Sequence, residues 1–179
     1  MGKLYGPVMQ MGFVVDNFEE PIKHWTEKLN VGPFFILKNL DIKDFQYKAN
    51  KCVIDFSVAL SFSGNTQIEL IKQHCDTPSI YNEYTKIERG CLHHICRLTS
   101  NINNDIKILE SEGYQNIQSG ETSDGGIKFA YLNANENYGS ILELAQLAEE
   151  NLALTETMKN ASKTWDRKSS TIRIEEILT

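Results

Sequence analysis

Met9-Gln10-Met11-Gly12-Phe13-Val14-Val15-Asp16-Asn17 and Cys91-Leu92-His93-His94-Ile95-Cys96-Arg97-Leu98-Thr99-Ser100-Asn101 follow one plan. Each is an apolar strand that runs into short polar side chains. Such side chains cap helices because their oxygens accept from the free amides of the first turn. After the first stretch, Phe18, Ile22, Trp25 and Leu29 fall on one face of a helix expected over about 18–29. Pro21 is tolerated in its first turn, and Asn30-Val31-Gly32-Pro33 stops it. After the second stretch, Ile102, Ile106 and Leu109 mark a helix, and Gly113 stands where a C-cap glycine belongs. The strand candidates are 7–15, 34–37, 52–62 and 66–73 in the first half, and 91–98, 114–118, 127–132 and 141–145 in the second. Each half therefore reads β-α-β-β-β, over about 7–74 and about 91–146, a repeat of element order rather than of residue identity.

The surrounding composition fits a globular α+β protein. The chain has 179 residues, 41% hydrophobic and 23% charged, which excludes a mostly disordered chain. Its net charge of -6 and the absence of a dense Lys/Arg run argue against nucleic acid and anionic membranes as partners. No segment approaches the ~18–20 apolar residues of a membrane span. Cysteines 52, 75, 91 and 96 form no CxxC pair, so reduced thiols in a cytoplasmic protein are expected. Residues 1–146 are expected to form one domain. Residues 147–179 show no strand pattern; Leu147, Leu154, Met158, Ala161 and Trp165 give a broken helical stripe. A C-terminal helical extension is expected, packed on the domain or on the partner in a homodimer.

Two halves with equivalent strands place equivalent positions around a shared cleft. Gln10 lies in the first strand of the first half and His94 in the first strand of the second. A glutamate interrupts the last apolar strand of each, in Ile68-Glu69-Leu70-Ile71 and Leu142-Glu143-Leu144-Ala145. Burying an unpaired carboxylate is costly, so each needs a cation, hydrogen-bond donors or a solvated face. Their matched placement weakens the solvated-face reading.

These stretches, with Gly64-Asn65-Thr66-Gln67-Ile68-Glu69-Leu70-Ile71, Gly90-Cys91-Leu92-His93-His94-Ile95-Cys96 and Gly139-Ser140-Ile141-Leu142-Glu143-Leu144, resemble the vicinal oxygen chelate superfamily, which includes glyoxalase I and methylmalonyl-CoA epimerase. The resemblance covers 7–146. It implies two βαβββ modules forming a curved mixed sheet around a cleft, and a divalent ion (Zn, Ni, Co, Mn or Mg) held by Gln10, Glu69, His94 and Glu143. That ligand set is the glyoxalase I one, whereas Trp25, Gly32-Pro33-Phe34-Phe35 and His93-His94-Ile95 look more like the epimerase branch. Mixed O/N donors suit a borderline or hard ion. The implied activity is that of an isomerase or lyase acting on a small carbonyl compound with vicinal oxygens, such as a thioester or thiol conjugate, through an enediolate or enolate. Glu143 would be the base, with Glu69 as second candidate.

Two other classes compete. A non-catalytic binder resembling bleomycin-resistance proteins would lack the metal residues, and an extradiol dioxygenase would carry a second histidine where Gln10 stands. Among the remaining residues, His93 is expected to face away from His94 as a hydrogen-bonded core residue. His24 and His74 are read as structural or exposed, and Cys96 as an inert thiol on the face of His94. Phe129 and Tyr131 are read as cleft or core residues, with core favoured. Asp124-Gly125-Gly126 is a turn, not a phosphate loop, because no helix follows it.

Overall fold

Strand β1 (Val8–Val14) lies at the middle of the sheet and carries the first apolar stretch. The structure is a computed structural model that describes residues 6–85, 90–134 and 141–177. After β1, Asn17 Oδ1 accepts from Glu20 N at 3.0 Å and opens helix α1 (Glu19–Glu27), with Ile22 buried beneath it. The helix ends two residues short of the sequence expectation. Lys28 N closes on His24 O, Asn30 adopts φ 58°, and Leu29 turns outward, 48% exposed. Strands β2 (Phe34–Leu37), β3 (Ile42–Tyr47), β4 (Asn50–Lys51), β5 (Phe56–Ser63) and β6 (Thr66–Gln73) follow, then the short helix α2 (Ile80–Thr85).

The second half repeats the plan. It comprises β7 (Leu92–Leu98), α3 (Ile102–Ser111), β8 (Tyr114–Thr122), β9 (Ile127–Ala134) and β10 (Ile141–Leu147). Asn101 caps α3 by accepting from Asn104 N at 3.2 Å, and Gly113 after it takes φ 96°. Helix α4 (Glu149–Lys163), strand β11 (Thr171–Ile172) and a 3-10 turn at Ile174–Ile177 end the described chain.

All strands join one mixed sheet, in the order β11-β2-β5-β6-β1-β7-β10-β9-β8-β3-β4. The order shows the internal symmetry. β1 and β7 pair antiparallel at the centre, each flanked by a parallel partner from its own half, β6 or β10. The sheet curls strongly. The link 38–41 joins β2, near one edge, to β3, near the other, and four linking residues can span only about 17 Å. α1 and α3 cover the convex side, where Ile22 and Val15 meet Phe34 and Leu70, and Ile102 and Leu109 meet Ala130, Leu132 and Leu144.

Three elements differ from the sequence reading. Residues 52–55 are not strand: Thr77 Oγ1 donates to Val53 O, and Asp55 N donates to Cys75 Sγ, so side chains replace ladder bonds there. β3 was not foreseen, because Asp44 at φ 51° and a register shift between Lys43 and Gln46 break its alternation. In the C-terminal stretch, β11 pairs parallel with β2, while Trp165 lies flat on Gly32. The apolar stripe of α4 is covered within the chain: Leu154, Met158 and Ala161 pack with Phe35, Phe62 and Ile172.

Leu144 is fully buried between the sheet and α3. Leu144→Ala should cost about 2–5 kcal/mol in urea unfolding, against less than about 0.5 for Val53→Ser, whose side chain is 83% exposed. Equal costs for the two would contradict this placement of the core.

Candidate metal centre

Glu69, His94 and Glu143 come from three of the four central strands, and their ligand atoms lie within 4.8 Å of one another. The register explains the meeting. Gly12 of β1 is paired with both Glu69 of β6 and His94 of β7, and Glu143 of β10 pairs with Cys96 on the other side of β7. Pairing also equates the halves: Glu69 with Glu143, Gly12 with Cys96, and Gln10 with His94. Gly12 is needed at the centre, because a Cβ there would fall inside the His94 ring.

Both central strands carry a bulge at the same place. Between β1 and β7 the register slips at Met9, between Val8 and Gln10, and again at His93, between Leu92 and His94. A bulge inserts one unpaired residue and re-aims its neighbours. His93 therefore does not face away from His94 as strand alternation predicts. Both rings are fully buried, their Nδ1 atoms 2.9 Å apart. At that distance one Nδ1 donates and the other accepts. With His94 as donor, its Nε2 lone pair is directed at the carboxylates.

His94 Nε2 lies 3.1 Å from Glu143 Oε2 and 3.3 Å from Glu69 Oε2. Neither approach has hydrogen-bond geometry, and His94 Nε2 and Glu143 Oε2 are buried without a hydrogen-bond partner. Among the described residues no Lys or Arg pairs with either glutamate. The buried Glu143 and the largely buried Glu69, facing a lone pair, require a proton or a positive charge between them. Burial opposes protonation of His94, but the two carboxylates outweigh it and push the imidazole up to about 9. Burial, together with the charge of Glu143, also raises Glu69.

Gln10 is buried on β1, and its Nε2 donates to Gln67 Oε1 at 2.8 Å. Gln10, Glu69 and Glu143 line one cavity, with Gln67, Cys96, Tyr81 and Tyr131. Phe129 and Tyr131, read from the sequence as cleft or core, are both: they are buried and form part of this wall. Tyr81 Oη donates to Tyr131 Oη at 3.0 Å. Burial first, then nearby acidic groups, hold the Tyr131 phenol and the Cys96 thiol well above their ordinary values, so both stay protonated. Gln67 and Tyr81 were not singled out in the sequence. Gln67 looks like a solvent-facing strand residue, and Tyr81 sits in α2, where no apolar period is visible. His74 lies apart, its Nε2 2.7 Å from Ser57 Oγ.

The sequence model of the Glyoxalase/Bleomycin resistance protein/Dioxygenase superfamily matches residues 9–131. The chain belongs to this superfamily. The match stops short of β10 and Glu143. No curated protein sequence matches. Solved structures with the same fold include a methylmalonyl-CoA epimerase from Mycobacterium tuberculosis, at 14% identity and TM-score 0.59 over 86% of this chain and 95% of that one. A hypothetical protein from Bacillus halodurans gives 17% and 0.59 over 80% and 95%. A Streptomyces coelicolor methylmalonyl-CoA epimerase variant in complex with 2-nitronate-propionyl-CoA gives 11% and 0.52 over 81% and 96%. Among the described residues, no helix of this superfamily member is long and apolar enough to cross a membrane.

The His94 environment fixes a pH dependence for the metal-free protein. Its folded value of about 9 lies above the ~6.5 of an unfolded histidine, so its contribution to stability is full below 6.5 and lost as pH rises through 9. Glu69, also raised, acts with the same sign. Urea midpoints of the metal-free protein should therefore fall between pH 6.5 and 9.5, and the fall should be smaller in His94→Gln, where only the carboxyl groups remain to contribute. A midpoint that rises over this window would contradict the geometry.

Proposed function

We propose that this protein is a divalent-metal-dependent isomerase or lyase that moves a proton on a small carbonyl compound, epimerase-like or lactoylglutathione lyase-like. The reading is carried by the convergence of Glu69, His94 and Glu143 on one point, with His94 Nε2 and Glu143 Oε2 lacking hydrogen-bond partners. These residues fit a divalent ion. Two carboxylates and an imidazole are borderline-to-hard donors, and their charge balances M²⁺ in a largely dry site. Gln10 would complete the set through its side-chain oxygen, since its Nε2 is committed to Gln67.

Held by Glu69, His94, Glu143 and Gln10, a divalent ion would supply Lewis acidity for substrate oxygens and for the charge left by proton removal. Glu143 takes the proton from the carbon beside the carbonyl and returns it to the opposite face or to the neighbouring carbon. Glu69 is the second candidate base. Tyr131, kept protonated, offers a donor to a substrate oxygen on the cavity wall. His93 holds the His94 ring through the Nδ1 contact.

One observation favours a second reading, a metal-free small-molecule binder. His94, at about 9, can carry a proton that partly offsets the two carboxylates without any metal. Metal analysis of protein purified without added metal separates the two. The enzyme reading expects about one ion per chain and deuterium exchange into a carbonyl substrate, from a panel of free dicarbonyls, hemithioacetals and acyl-CoA esters. His94→Ala should lose the ion. Glu143→Gln should keep it and lower exchange about 10²–10⁴-fold, since the amide still ligates but is a poor base. Activity that survives in Glu69→Ala/Glu143→Ala would contradict the assignment. With α4 covering its own chain, the expected homodimer would use another face, and sedimentation showing only 20.4 kDa particles would remove that expectation.

A further inference from the structure

The cavity over the carboxylates is partly covered by chain outside the repeated strands. α4 touches β5 on one side of the central strands and β10 on the other, so it crosses the cleft. Asn151, Leu154, Thr155 and Met158 face the cavity. Both ends of the helix are tied down. At its start, Ala148 N donates to Gly126 O at 2.8 Å, and Asn151 is so close that a Cβ on Gly126 would strike its Oδ1. Towards its end, Met158 and Ala161 are locked among Phe35, Phe62 and Ile172. The β2–β3 crossover closes a further part of the wall with Leu37, Leu40 and Ile42.

The cavity, open on part of its boundary, has a volume of about 140 Å³. An apolar cavity of about 150 Å³ takes a benzene-sized ligand. The walls are mainly aliphatic and aromatic, and among the described residues no Lys, Arg or His lines them. Glu69 and Glu143 already balance a divalent ion. Nothing on the wall remains to offset the phosphates of a CoA ester or the carboxylates of a glutathione conjugate, so such groups would have to stay outside the cavity.

We propose that α4 narrows the cleft to an apolar chamber for a compact, unconjugated carbonyl compound of about six to eight heavy atoms, with Leu154 and Met158 setting the size limit. The two neighbouring oxygens of that ligand rest on the metal-site reading; the size and polarity of the chamber do not.

Thermal unfolding of the full-length protein, with and without bound divalent ion, tests this with toluene, naphthalene and propionyl-CoA as probes. Toluene at ten times its Kd should raise Tm by about 3–5 °C, while naphthalene and propionyl-CoA leave it unchanged. Leu154→Ala and Met158→Ala should each admit naphthalene, with at least about tenfold tighter binding than wild type. Leu154→Ala, at a less buried position, carries the test if Met158→Ala does not fold. The proposal is overturned if propionyl-CoA or naphthalene stabilises the wild type as strongly as toluene, or if toluene has no effect. Failure to take up metal would sink the site reading and leave these shifts as they are.

Discussion

Two carboxylates and one imidazole nitrogen compete for the same few ångströms at the centre of the sheet, and that crowding has to be relieved by protons or by a bound cation. Glu69 and Glu143 come within 3.3 and 3.1 Å of His94 Nε2 from opposite halves of the chain. No stable protein keeps such a group charged and unbalanced. Much of the fold positions it. Gly12 yields the volume that the His94 ring fills, the bulge at His93 turns both histidines inward, and β6 and β10 bring one glutamate from each side. The internal symmetry matters here because it delivers two acidic strands to one axis.

How much of this could be read in the sequence differs from residue to residue, for physical reasons. Glu69 and Glu143 stand out because a carboxylate inside an apolar strand is expensive, and their matching positions in the two halves point to a shared cause. Gln10 and His94 follow from the repeat. His93 was misjudged because a bulge is a property of the pairing between two strands and leaves no trace in one strand's alternation. β3 escaped notice for a related reason: Asp44 in a left-handed conformation hides the burial of Phe45 and Tyr47. Tyr81 reaches the cavity from a short helix whose position is set by Gln118 Oε1 accepting from Ile80 N, a contact between residues 38 apart.

The C-terminal segment shows how an extension can decide chemistry without supplying a reactive group. The repeated strands alone make an open trough. α4, tied at the Gly126 turn and at the Phe35–Phe62 cluster, turns it into a chamber. The space above the carboxylates is lined in part by this helix, through Asn151, Leu154, Thr155 and Met158.

X-ray absorption spectroscopy of the protein loaded with Co²⁺ or Zn²⁺ tests the central claim most directly. The account predicts one tightly held ion per chain with only oxygen and nitrogen neighbours at about 2.0–2.2 Å, one of them a single imidazole. A sulfur neighbour at about 2.3 Å, which would place Cys96 on the ion, would contradict it, as would a shell of water alone.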